Sequence, residues 1–191
     1  MVYFSNTYHG VALGALAVTG NPAKRRASGV PLAHTTPVPF EGYFGGQVNS
    51  RRYLEALLED PASGLDLPAA IILETVQAEG GVNVASSEWL KRLAGLARRY
   101  GVLLTVDDIQ IGCGRTGTFF SFEPAGIKPD IVCLSKSIRP PHGPGAPQAG
   151  ARRLSSWRAQ RHLPGQQSRL RHRGRGPLLL GRRRARPRGP A

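Results

Sequence analysis

Three ionisable residues each follow an apolar run. Glu74 comes after "AAIIL", Asp107 after Val102-Leu103-Leu104-Thr105-Val106, and Lys136 after "DIVCLS". A carboxylate and an amine placed by neighbouring strands can share the work on a ring cofactor. The acid keeps a pyridine nitrogen protonated, so the ring accepts electrons, and the lysine holds an aldehyde as a Schiff base. A pyridoxal phosphate site requires that division of labour. Each residue also has a plainer reading. A lone strand-end acid usually turns into solvent, and most lysines are solvated surface charges. Here Asp107 precedes a glycine-rich turn, "GCGRTG", and the lysine's apolar approach predicts partial desolvation, which lowers an amine's pKa and suits a base.

The elements that must hold these groups are legible in outline. "AAIILETV" (69–76) is apolar without alternation, as in a strand covered on both faces. "SSEWLKRLAGLARRYG" (86–101) predicts a helix. Ser86 or Ser87 can cap it, and Glu88 complements the dipole. Trp89, Leu93, Leu96 and Tyr100 form its apolar stripe, and Gly101 is placed to end it. "VLLTVDD" (102–108) and "DIVCLS" (130–135) read as further strands. "SRRYLEALLED" (50–60) has helical spacing at Tyr53, Leu54, Leu57 and Leu58. Residues 1–18 mix aromatic and small residues around the short apolar "VALGALAV", and residues 20–50, rich in Pro, Gly and Thr, read as loop or extended chain.

Strand, helix, strand with short links implies a right-handed crossover and an α/β fold with a mainly parallel sheet and flanking helices. Ligands of open parallel sheets bind at the carboxyl ends of the strands. Glu74, Asp107 and Lys136 all fall at such ends.

The net charge of +14 suggests a nucleic-acid binder, but the charge is unevenly spread. Residues 1–138 contain 12 Lys+Arg and 12 Asp+Glu, whereas residues 139–191 contain 14 Arg, no Lys and no acid. Body and tail therefore need separate accounts. Cys113 and Cys133 are too few for a disulfide scaffold and read as reduced thiols. The N-terminus has no signal-peptide pattern, and no apolar run approaches the ~20 residues that span a bilayer. The expectation is a cytoplasmic protein with no membrane partner and no metal site.

One glycine pattern misleads. Gly112-x-Gly114-x-x-Gly117 fits a dinucleotide fingerprint, which should open a helix directly after a strand. Gly117 leads instead into "TFFSFEPAG", aromatic and interrupted by Pro124.

"VDDIQIGCGRTG" followed by "PDIVCLSKSI" resembles the class III (omega-type) aminotransferases, pyridoxal-phosphate enzymes of fold type I. "ETVQAEGG" (74–81) is similar to their Glu-x-x-Gln-Gly-Glu-Gly-Gly element, with Ala78 where the family usually has glycine. "TYHGVALGALAVTG" (7–20) is similar to their aromatic-His-Gly segment. Four motifs stand in the family's order, across about residues 3–138. Within the family, "GVNVASSEWLKRL" and "DDIQIGCGRTGTFFSFEPAGI" look most like members acting on diaminobutyrate and 2-oxoglutarate. Ornithine and 4-aminobutyrate remain alternative donors.

The resemblance implies the site residues. Asp107 would pair with the pyridinium nitrogen, Ile109 would pack on one ring face, and Tyr8, beside His9, would stack on the other. Gln110 would bond the ring hydroxyl. Lys136 would form the Schiff base and move the proton in the transfer. Glu74 and Glu79 would line the substrate side, with Glu79 facing a substrate or a gating arginine. Asp108 would order the turn. Substrates would be amino and 2-oxo acids, handled by a homodimer or higher homo-oligomer.

The resemblance also implies absences. The cofactor-phosphate loop would lie upstream of Met1, and the small domain with its carboxylate-binding arginine would lie downstream. The expected layout is a partial cofactor-binding large domain over residues 1–138, inactive or impaired by itself, and an Arg/Pro/Gly-rich tail over residues 139–191. The tail holds 8 Pro, 8 Gly and 14 Arg, too little apolar surface to offset ordering entropy. It reads either as an arm for non-specific binding to phosphate backbones or as GC-rich coding DNA read out of frame after Ile138. A one-base shift lets "RAQRHLPGQQ" (158–167) become Glu-His-Asn-Gly-Thr-Phe-Arg-Gly-Asn, which is similar to the family's threonine-bearing loop. "PHGPGA" (141–146) can likewise become Pro-Met-Ala-Leu-Val-Leu.

Overall fold

The computed structural model describes residues 1–47, 49–136 and 138. The expectations for residues 139–191 lie outside them.

Five strands form one parallel sheet: β1 (Val2–Phe4), β2 (Thr36–Val38), β3 (Ala70–Leu73), β6 (Leu103–Asp107) and β7 (Ile131–Cys133), in the order β2-β1-β3-β6-β7. Two two-residue strands, β4 (Val76–Gln77) and β5 (Asn83–Val84), make a separate antiparallel hairpin. The helices are α1 (Leu13–Ala17), α2 (Pro22–Arg25), α3 (Ser50–Glu59) and α4 (Ser87–Tyr100). All five sheet strands run the same way, so their carboxyl ends share one edge.

The unbroken apolar strands are explained by burial on both faces. All four residues of β3 are buried. Ile71 and Leu73 join the main core, with Leu54 of α3 and Trp89, Leu90 and Leu93 of α4. Ile72 points the other way and packs with Tyr3 and Val18. Trp89 anchors the main core against Phe4 and Phe40, with ring centroids 5.1 and 5.2 Å away. Its indole N–H donates to Ser50 Oγ at 3.0 Å, so the polar end of the ring is satisfied inside the core.

Helix α4 has the predicted ends. Ser86 Oγ accepts the Trp89 N–H at 3.1 Å, and Gly101 closes the helix in the left-handed region, at φ 67°. Glu41 reinforces the start, its carboxylate accepting both the N–H and the hydroxyl of Ser86.

Three stretches hold detail that the sequence did not show. Residues 20–50 are more structured than a loop, holding α2 and the edge strand β2, whose ladder to β1 passes through Pro37. An edge position tolerates proline because only one flank needs a donor. Residues 1–18 contain β1, too short at three residues to show a period, and "VALGALAV" forms the short α1. Tyr53 is exposed, so the buried face of α3 rests on Leu54, with Leu57 and Leu58 half-buried.

Candidate active site at the carboxyl edge of the sheet

Asp107 is the last residue of β6 and is 6% exposed. Its Oδ1 accepts the Ile109 N–H at 3.1 Å, and its Oδ2 lies 2.8 Å from His9 Nδ1. An ionised carboxylate only accepts, which assigns the imidazole proton to Nδ1. His9 Nε2 is buried with no partner among the described residues. The segment carrying His9 is tied down from beneath. Thr19 Oγ1 accepts the His9 N–H at 3.0 Å, and Thr7 O accepts the Gly20 N–H at 2.8 Å.

Glu74 follows β3 and is 3% exposed. The Tyr8 N–H donates to its Oε2 at 3.0 Å. Burial pushes its carboxyl up to about 8; the Tyr8 N–H and Lys136 oppose this, while Asp107 and Glu79 add to it. Near neutrality Glu74 is therefore largely protonated, and the neighbouring Asp107 charge favours that form. Cys133, the register partner of Asp107 on β7, has its thiol pushed up by burial and then by the Asp107 charge.

Ile109 and Gln110 occupy the turn after β6, both half-buried. Glu79 is exposed in the turn between β4 and β5. Lys136 stands three residues past Cys133 and is exposed, which corrects the expectation of partial desolvation: β7 is an edge strand, and the described chain leaves its end open. Glu74, Asp107, Glu79 and Lys136 thus gather within electrostatic reach at one edge, joined by Tyr8 and His9 from the segment after β1.

Asp108 orders the turn. It is 1% exposed, its carbonyl accepts the Gly112 N–H at 2.9 Å, and its carboxylate accepts the Ser121 N–H and hydroxyl. A Cβ on Gly112 would sit 2.7 Å from Asp108 O, so the tight turn itself requires glycine there. Among the described residues no helix opens directly after Gly117, as the dinucleotide reading would need.

Sequence reasoning passed over Gln77, Thr19, Thr75 and Ser121. Gln77 is fully buried and donates to Ser5 O at 2.7 Å, fastening the β4–β5 hairpin beneath the segment that bears Tyr8 and His9. Its place in "ETVQAEGG" was the available signal. The other three are small hydroxyl residues that no local pattern marks; Thr75 and Ser121 meet only across 46 positions of chain.

A cleft of about 460 Å³ lies elsewhere, lined by Glu41, Asn49, Arg51, Ser86, Trp89 and Arg92 among others, and it includes none of the expected site residues. Its charges already have partners within the chain: Glu41 with Ser86, Arg51 with Glu55 and Arg92 with Glu88.

Residues 1–151 match the family model described as "Aminotransferase class-III". The chain belongs to the class III aminotransferases. Within that family it is 60% identical over 149 residues to the diaminobutyrate–2-oxoglutarate transaminase of Streptomyces coelicolor, covering 78% of this chain and 34% of that protein. It is 58% identical over 149 residues to the enzyme of the same name from Virgibacillus pantothenticus, covering 78% and 35%. Among solved structures, an amine transaminase from an uncultivated Pseudomonas species in its PLP-bound form superposes with a TM-score of 0.61 at 30% identity, covering 70% of this chain and 32% of that one. A transaminase from the marine bacterium Virgibacillus gives 0.60 at 27% identity, covering 70% and 29%. This class III chain spans about a third of the length of the curated relatives it matches.

Proposed function

We propose that this chain carries the cofactor-holding part of a pyridoxal-phosphate aminotransferase that moves an amino group between L-2,4-diaminobutyrate and 2-oxoglutarate, as in ectoine biosynthesis. One observation carries the reading. A buried carboxylate, Asp107, is fixed by His9 and the Ile109 N–H at the carboxyl edge of a parallel sheet, with Lys136 beyond the neighbouring strand. The names of the relatives supply the substrate pair.

The residues fit the cofactor. Asp107 accepts two hydrogen bonds and keeps acceptor capacity for a pyridinium N–H. The orphaned His9 Nε2 marks a buried polar atom in want of a partner. Tyr8 and Ile109 would flank the ring, Gln110 would bond its hydroxyl, and Lys136 would hold its aldehyde. When bound, pyridoxal phosphate supplies an electron sink for the substrate carbon that bears the amine.

The chain's own groups do the rest. Asp107 would keep the ring nitrogen protonated, with His9 Nδ1 holding Asp107 in place. Lys136 Nζ moves the proton at the substrate carbon. Glu74, held largely protonated by burial, would leave Asp107 as the carboxylate that faces the ring nitrogen. Exposed Glu79 is available to a substrate-side arginine. The working assembly is a cytoplasmic homodimer or larger homo-oligomer. This chain alone is inactive or severely impaired, and any nucleic-acid binding by residues 139–191 is non-specific.

Incubation with pyridoxal phosphate, borohydride reduction and peptide mapping test the reading. The expected result is an adduct concentrated on Lys136. An adduct spread over Lys24, Lys91 and Lys128 would overturn it. Any residual amino transfer should favour diaminobutyrate over ornithine and 4-aminobutyrate, and turnover of ~1 per second or more would end the claim of impairment.

A further inference from the structure

The ladder between β3 and β6 has its last pair at Leu73 and Val106. Glu74 and Asp107 come next, beyond the last pair that fixes these two strands to each other. One residue further on, Ser121 bridges the continuations of the two strands. Its hydroxyl donates to Asp108 Oδ1 at 2.5 Å and its N–H to Asp108 Oδ2 at 3.0 Å, so it takes both oxygens of a buried carboxylate. The same Oγ lies 2.5 Å from Thr75 Oγ1. A serine hydroxyl has one proton, and Asp108 takes it, so Thr75 is the donor in that second bond. Both outer residues are anchored in turn. Asp108 N–H donates to Cys133 O, and Thr75 O accepts the Ala85 N–H, each at 2.9 Å.

We propose that Ser121 is a positioning residue of the candidate site: by joining Asp108 to Thr75 it sets the separation and orientation of the adjacent Asp107 and Glu74 carboxylates. The inference rests on reading those two as the site's carboxylates. Backbone ladders cannot do this work past their last pair, and a side-chain bridge inside a buried region is stiff because every member is partnered. Its effect is electrostatic. Like charges raise each other's cost of ionising only while they stay close and dry. Glu74 is faced by Asp107, Glu79, Lys136 and the Tyr8 N–H, and Asp107 by His9 and Cys133. A loosened bridge lets Glu74 and Asp107 part and admits water, and both changes ease ionisation of Glu74.

The experiment is a carboxyl-carbon NMR titration of the full chain without added cofactor, comparing wild type with Ser121→Ala, Ser121→Thr and Thr75→Val. Ser121→Ala and Thr75→Val should raise the proton dissociation constant of Glu74 by roughly threefold or more. Ser121→Thr, which keeps the hydroxyl, should return it towards wild type. A Glu74 titration unchanged in folded Ser121→Ala overturns the proposal. Should that variant fail to fold, because Asp108 loses a buried partner, Thr75→Val decides, since it leaves both Asp108 bonds in place; an unchanged Glu74 there also overturns it. A shifted titration in a chain that forms no Lys136 adduct would uphold Ser121 and sink the cofactor reading, so the two failures are distinguishable.

Discussion

His9 Nδ1 and Asp107 Oδ2 lie 2.8 Å apart, bridging 98 positions of sequence and joining the segment after β1 to the end of β6. Both side chains are nearly closed to solvent, at 2% and 7% exposure. In a site so dry, an unpaired partner is expensive, because the remaining group keeps its desolvation cost without its bond.

The pair should therefore be strongly coupled. His9→Phe leaves Asp107 with the Ile109 N–H alone, and Asp107→Ala leaves both imidazole nitrogens unpartnered. Each should lower unfolding free energy by ~1–3 kcal/mol. In a double-mutant cycle measured by urea denaturation, the two losses should fall short of additivity by about 1 kcal/mol or more. Strict additivity would show that the contact contributes nothing.

Glu74 should make stability depend on pH in an unusual direction for a carboxylate. Its folded value of about 8 lies above its ordinary 4.5, so between those limits the folded chain holds a proton that the unfolded chain releases. The contribution is fully present below pH 4.5, declines as pH rises, and is lost above about 8. The loss should be on the order of a few kcal/mol. Glu74→Gln keeps an acceptor for the Tyr8 N–H and has no proton to lose. The stability difference between wild type and Glu74→Gln should thus move against wild type from pH 5 to pH 8 in denaturant titrations. A constant difference would refute the assignment.

Two glycines should respond in opposite ways to alanine. A Cβ on Gly80 would lie 2.3 Å from Asn6 O and 2.9 Å from Asn6 Cβ, where the hairpin presses on the backbone before Tyr8. Gly80→Ala should destabilise by ~2 kcal/mol or more, by the overpacking it forces. Gly95 lies inside α4 with nothing within 4 Å of an added Cβ, so Gly95→Ala should stabilise by ~0.5–1 kcal/mol. Thermal unfolding midpoints separate the two, and equal shifts would contradict the close approach at Gly80.

Local chemistry was enough to locate much of this molecule. The α4 boundaries followed from Ser86 and Gly101, because caps are satisfied within a few residues. Burial of β3 and β6 followed from runs without polar interruption, and the parallel sheet from their spacing about one helix. That placed Glu74, Asp107 and Lys136 at one edge before any contact was known. Three-residue strands such as β1 and β2 escaped because they carry no period and gain stability only from neighbours distant in sequence. The exposure of Lys136 and of Tyr53 was likewise invisible, since burial depends on what another element covers. Only the tertiary structure could pair His9 with Asp107, set Tyr8 on Glu74, and draw Ser121 between Asp108 and Thr75. Residue types and local periods specify elements and strand ends; hydrogen bonds between residues 46 to 98 positions apart exist only once the chain has closed on itself.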